Sequence, residues 1–140
     1  MAVAIRFAEV RIVAVDFGRA RTGVAISDPT GTVARPLCVV EQAASDGGLA
    51  RLAELLVEND AERVVVGMPL TLRGERGEQA RETESFVEAL AARTDVPVVT
   101  FDERFTTDLA ERSPSRVEED ARAAAHLLSS YLEWTSSRRP

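Results

Sequence analysis

After the first forty residues the spacing of apolar positions changes, from short strand-like runs to an alternation of helix and strand patterns. In the front part, Arg11–Phe17 (RIVAVDF) is a short apolar run ending beside an acid, Thr22–Asp28 (TGVAISD) is a second, and Val33–Glu41 is a third. Such runs predict strands, and Pro36 inside the third suits an edge position or a bulge, because proline cannot donate to a hydrogen-bond ladder. The links GRAR and PTG are short and rich in turn residues, which predicts an antiparallel meander.

From Asp46 to Asn59, Leu49, Leu52, Ala53, Leu55 and Leu56 recur at helical spacing, with Asp46 placed to cap the start. Arg63–Gly67 (RVVVG) is a β-branched run of the kind buried on both faces of parallel sheets. Glu75–Arg93 reads as a helix through the stripe Ala80, Thr83, Phe86, Val87 and Leu90, and Val96–Phe101 as a further strand. A short helix is expected from Thr106 and a last one from Glu118 to Trp134, ahead of a frayed tail over Thr135–Pro140. The order β-β-β-α-β-α-β-α-α contains no repeat, linker or low-complexity stretch, so residues 1–140 are read as one domain. Three antiparallel strands followed by βαβ units predict an α/β fold, a five-stranded mixed sheet with helices on both faces. Pairing the fourth strand beside the first makes the strand order 3-2-1-4-5. Its switch point lies at the carboxyl end of the first strand, where open α/β sheets place their sites.

Composition narrows the class. With 45% hydrophobic and 29% charged residues the chain is neither disordered nor membrane-spanning in type. Arg6, Glu9 and Arg11 interrupt the apolar start, so no secretion signal is expected, and no run reaches the ~20 apolar residues of a membrane span. The single cysteine, Cys38, cannot form an intrachain disulfide, and its apolar neighbours predict a buried, inert thiol in a reducing cytoplasm. The net charge of -6 argues against a protein that coats nucleic acid through bulk positive charge. It is compatible with an enzyme that meets nucleic acid at one metal-loaded site. All 17 cationic residues are arginine, and they are unevenly spread: five stand against three acids in residues 1–40, twelve against twenty in residues 41–140. An anionic ligand would therefore meet the front of the chain.

Three acids stand where chemistry is expected. Asp16 ends the first strand, and Gly18 and Gly23 nearby would let backbone approach a ligand closely. Asp102 and Glu103 end the fifth strand at the same edge of the sheet, with Arg104 beside them as a partner for an ion pair or a helix start. Asp120 lies one turn before Ala124 on the face formed by Ala123, Ala124, Leu127, Leu128 and Tyr131, where an acid costs desolvation unless it is paired or binds a metal. The small residues Ala123–Ala125 would bring that helix close to the sheet, and Glu119, one turn before Ala123, rivals Asp120 for the role. Three carboxylates together cannot all stay ionised without a cation between them, and hard oxygen donors suit Mg²⁺ or Mn²⁺. Two such ions allow hydrolysis of a phosphodiester, one activating water and the other stabilising the leaving oxygen. A binding feature accompanies them: the loop Gly67–Gly77 links a strand to a helix through Gly67, Gly74 and Gly77 with Arg73 and Arg76, and backbone N–H groups at such a helix start favour phosphate.

VDFGRARTGVAISD, VVGMPLTLRGERGEQA, FDERFTTDLA and DARAAAHLLSSYLE follow one another as in the YqgF/RuvX family, which the chain resembles over roughly residues 10–134. Its members are RNase H-like proteins described as Holliday junction resolvases and as nucleases for the 5′ end of pre-16S ribosomal RNA. The resemblance implies an Asp–Glu–Asp site in which Asp16, Glu103 and Asp120 are catalytic and hold the metal, with Asp102 sharing the role. It makes Arg19, Arg21, Arg73, Arg76 and Arg104 the phosphate contacts, and it matches Thr106 and Thr107 to the family's paired threonines. The expected partner is nucleic acid, structured RNA or branched DNA, met by a cytoplasmic monomer or homodimer. Pre-ribosomal RNA is favoured, since a symmetric junction calls for a two-fold dimer and the sequence has no strong extra apolar face. Junction resolution on DNA stays open, as does a catalytically idle scaffold that binds ribosomal RNA or protein.

Two departures from the family pattern stand out. The stretch between Ala110 and Asp120 is short and acidic, with Arg112 and Arg116 its only cations, where members usually carry a longer segment rich in glycine and lysine. If that loop grips nucleic acid in the family, this chain grips it more weakly or differently. Residues 1–10 precede the usual start. His126, the only histidine, lies off the Asp120–Ala124–Leu128 line and is expected to face solvent.

Overall fold

Successive side chains of a strand point to opposite faces, and the apolar runs use this alternation to cover the sheet on both sides. The computed structural model describes residues 11–70, 73–74, 76–105 and 117–137, the side chains of 117 and 118 excepted. Among the described residues, β1 (Ile12–Asp16), β2 (Arg21–Ser27), β3 (Ala34–Glu41), β4 (Arg63–Met68) and β5 (Val98–Asp102) form one sheet in the order β3-β2-β1-β4-β5. β2 runs antiparallel to β1 and β3, and β4 runs parallel to β1 and β5, as the sequence predicts. The helices are α1 (Asp46–Glu58), α2 (Glu78–Ala91) and α3 (Val117–Ser137), and a 3₁₀ turn, Glu103–Phe105, follows β5.

On one face, Val13, Val15, Val24, Ile26, Val64 and Val66 pack against Leu49, Leu52, Leu55 and Leu56 of α1 and Phe86 and Leu90 of α2. On the other, Ile12, Ala14, Ala25, Val65 and Phe101 meet Ala124, Ala125, Leu127, Leu128, Tyr131 and Leu132 of α3. Small residues on both sides of this second contact bring α3 close to the strands. The Phe101 and Tyr131 rings meet edge to face at 5.5 Å, which ties β5 to α3. No described helix is long and apolar enough to cross a membrane.

Several boundaries differ from expectation for identifiable reasons. Pro36 does lie on an edge strand, where the register passes from Val24–Cys38 to Ala25–Pro36 and leaves Leu37 as a bulge. Ser45, not Asp46, caps α1: its hydroxyl accepts the Gly48 N–H at 3.0 Å, and Asp46 instead pairs with Arg93 at 2.6 Å. α2 begins at Glu78, because Gly77 is extended and Gly74 takes φ +79°, a conformation outside a helix. α3 runs past Trp134. The Thr135 hydroxyl donates to the Tyr131 and Leu132 carbonyls and the Ser137 hydroxyl to the Trp134 carbonyl, so the residues expected to fray are helical through Ser137. Asp28 closes the β2–β3 hairpin by accepting the Thr30 hydroxyl and the N–H groups of Thr32 and Val33, which lower its pKa to about 2. Cys38 is half-buried rather than buried, though burial still raises its pKa, and His126 is half-buried rather than facing solvent. The helix expected from Thr106, the paired threonines and the acidic stretch that follows lie outside the described residues.

Candidate active site

The pleat of β1, the turn after β5 and the start of α3 carry the three candidate acids to the carboxyl edge of the sheet. Ile12 and Ala14 point toward α3, so Asp16, at the next position of the same parity, leaves β1 on that face. The Phe17 ring stacks on Phe86 at 4.4 Å beneath the other face and anchors the end of β1. Asp16 is paired with Gly23 of β2, and a Cβ at Gly23 would lie 1.8 Å from the backbone oxygen of Asp120. The first turns of α3 therefore rest directly on the residue opposite Asp16, an approach that only glycine allows. On the other side Val15 pairs with Val66, which puts Gly67 next to Asp16. Gly67 pairs with Phe101, and Glu103 follows two residues later. A Cβ at Gly67 would lie 2.6 Å from Oε1 of Glu103, so the glutamate side chain occupies the space which that glycine leaves.

The close approaches that Gly18 and Gly23 permit are thus within the chain: Gly23 to Asp120, and Gly18 to the Arg21 carbonyl across a tight hairpin in which the Thr22 hydroxyl accepts the Gly18 N–H at 3.2 Å. A glycine inside an apolar strand is the sequence signal for such an approach. Gly67, expected to face phosphate, makes room within the chain for Glu103.

The arginines expected to meet phosphate are mostly paired within the chain. Arg19 is bonded to Glu82 and lies 3.5 Å from Glu78, Arg76 pairs with Glu84 at 3.2 Å, and Arg21 brings Nε to 2.9 Å from Oδ2 of Asp120. Arg104 holds Asp102 from both sides of its fork and lies over Gly74, with Nη1 3.3 Å from where a Cβ would stand. The hydrogen bonds from Arg104 hold the Asp102 carboxyl below the usual carboxylate range. Arg73 is exposed.

The acids are brought to one edge without forming a ready-made cage. Among the described residues, no group of three or more His, Cys, Asp or Glu side chains is drawn together as a metal site. The donor set nevertheless suits a hard cation. Asp120 Oδ2 and Glu119 Oε2 are buried and accept no hydrogen bond, Asp120 Oδ2 having the Arg21 guanidinium beside it, and carboxylate oxygens of this kind suit a hard cation.

A five-stranded mixed sheet of this order with acids at its switch point defines an RNase H-like α/β protein. The chain belongs to the RuvX family, whose model, described as Holliday junction resolvase, matches residues 10–134. It is 41% identical over 134 residues to a protein of Chloroflexus aggregans, covering 89% of this chain and 94% of that one. It is 39% identical over 139 residues to a protein of Desulforudis audaxviator, covering 92% and 98%. Both relatives are named "Putative pre-16S rRNA nuclease". Among solved structures, the fold is similar to that of T. thermophilus RuvC in complex with a Holliday junction substrate, with a TM-score of 0.57 and 20% identity over 89% of this chain and 96% of that one.

Proposed function

We propose that this chain is a divalent-metal-dependent nuclease that hydrolyses phosphodiester bonds and matures the 5′ end of pre-16S ribosomal RNA in the cytoplasm. The observation that supports the reading is that the Asp120 backbone lies over Gly23, the partner of Asp16, while Glu103 fills the space beside Gly67 on the same face of the sheet. These three carboxylates would hold Mg²⁺ or Mn²⁺, two ions being the number that two-metal hydrolysis uses. When bound, the ions supply positive charge to the phosphate and lower the pKa of water. In the hydrolysis a water oxygen bonds to phosphorus, the bond to the leaving ribose oxygen breaks, and that oxygen takes up a proton.

The chain's other residues bind and orient. Arg19 and Arg76 sit in exposed, solvent-screened pairs, so they can exchange a glutamate for a substrate phosphate at little cost. Arg73 joins them from the β4–α2 loop. Asp102, already gripped by Arg104, aims that guanidinium over Gly74 rather than serving as a metal ligand. The names of the relatives favour ribosomal RNA, while the family description keeps a four-way DNA junction as the second reading.

The test is cleavage, with Mn²⁺, of a structured RNA carrying the precursor 5′ end and of a four-way DNA junction, by the protein and by Asp16→Asn. The expected result is RNA cleavage that falls at least about 100-fold in the variant. Cutting of the junction alone would move the substrate to DNA. Equal cleavage by Asp16→Asn would remove the proposed site, and inert protein that binds RNA without metal would make the chain a scaffold.

A further inference from the structure

Two arginine–aspartate pairs stand at the carboxyl edge of the sheet, and they are made differently. Arg104 grips Asp102 as a fork: Nε lies 3.0 and 2.9 Å from the two carboxylate oxygens, Nη2 lies 2.5 Å from Oδ2, and the backbone N–H donates to Oδ1 at 2.9 Å. Arg21 meets Asp120 through Nε, 2.9 Å from Oδ2, yet both atoms are buried and neither is oriented to form a hydrogen bond. Opposite charges are in contact there without the directed N–H···O geometry that makes such a pair strong. The charge contact offsets part of the desolvation of both atoms, and the missing hydrogen bond leaves the rest. Each of the two side chains keeps 30% of its surface exposed, so the guanidinium has a way out to solvent.

We infer that Arg21 is the resident counter-charge of Asp120, held while no divalent cation is bound and released toward the substrate phosphate when one is. The inference rests on the nuclease reading above and adds to it the regulation of the same site. A guanidinium does not let go of a carboxylate by losing its charge. It leaves when another cation takes over the carboxylate, and a hard divalent ion suits two carboxylate oxygens better than one misaligned Nε–H. Arg104 stays on Asp102, because its fork is satisfied. Asp120 is thus neutralised by Arg21 until a divalent ion takes its place, and only then does Arg21 carry an uncommitted positive charge. This reconciles the phosphate contact expected of Arg21 with the pairing it makes. Arg21 is then a substrate-positioning residue, and its effect on metal affinity is opposite in sign to that of a ligand.

The experiment is Mg²⁺ titration calorimetry on the protein and on Arg21→Gln, with folding checked by circular dichroism. In the variant the Mg²⁺ dissociation constant should fall by about three- to tenfold, while the affinity for a structured RNA at saturating Mg²⁺ weakens by a similar factor. In the unmodified chain the Arg21 Nε–H resonance, identified by its loss in Arg21→Lys, should shift as Mg²⁺ is added. This second measurement decides alone if Arg21→Gln does not fold. Unchanged or weaker Mg²⁺ binding by folded Arg21→Gln, or a resonance that stays in place while Mg²⁺ binds, overturns the inference and leaves the nuclease reading intact. No Mg²⁺ binding by the unmodified chain overturns the nuclease reading itself.

Discussion

Alternate residues of the same strands make the two faces of the sheet, and the faces differ most at the carboxyl edge. Toward α1 and α2, Val13, Val15, Val24, Ile26, Val64 and Val66 bury bulky aliphatic side chains. Toward α3, the same strands carry Ile12, Ala14, Ala25 and Val65 and then turn to Asp16, Gly23 and Gly67. One face is filled by volume. The other leaves room, and acids and the start of a helix enter it. Because a strand separates its two sets of side chains with a period of two, stability and chemistry can be written into one short segment without competing for positions. Changes on opposite faces should then fail in different ways.

The largest stability effect belongs to the filled face. Leu52→Ala removes a buried side chain that is 1% exposed and should cost about 2–5 kcal/mol in denaturant unfolding, with Mn²⁺ affinity per folded molecule unchanged. A variant that also lost its metal would show that the faces are not independent. On the other face, Gly23→Ala puts a methyl group 1.8 Å from the Asp120 backbone oxygen, and α3 must move to admit it. The expected stability loss is smaller, about 1–3 kcal/mol, but Mn²⁺ affinity should drop at least about tenfold. Calorimetry and unfolding on the same sample separate the two, and intact metal affinity in Gly23→Ala would dissolve the distinction between the faces.

Much of this contrast could be read before any coordinates. The RVVVG run and the leucines of α1 identify the buried face by composition and spacing, and crossover rules leave the order β3-β2-β1-β4-β5 as the natural one. The candidate acids were legible because each ends a strand or interrupts an apolar stripe. Element ends were less so. Ser45 and Asp46 are both good caps, and only the extended backbone of Ser45, at φ -74° and ψ 163°, decides between them. Of the arginine partners only the local pair Arg104–Asp102 was legible: which guanidinium reaches which carboxylate elsewhere depends on how a hairpin and α3 or α2 settle against each other, and neither Arg21–Asp120 nor Arg19–Glu82 is close in the chain. The glycines lay between these cases. Their position inside strands announced a close approach, and within the chain that approach is made by Asp120 and Glu103.

The central claim is that Asp16, Glu103 and Asp120 gather divalent cations. A crystal soaked in Mn²⁺ and measured for anomalous scattering tests it most directly. The account predicts manganese bound among these three carboxylates, with Asp102 still held by Arg104. A soaked crystal with no manganese there, or with manganese bound only at other acids, would contradict it.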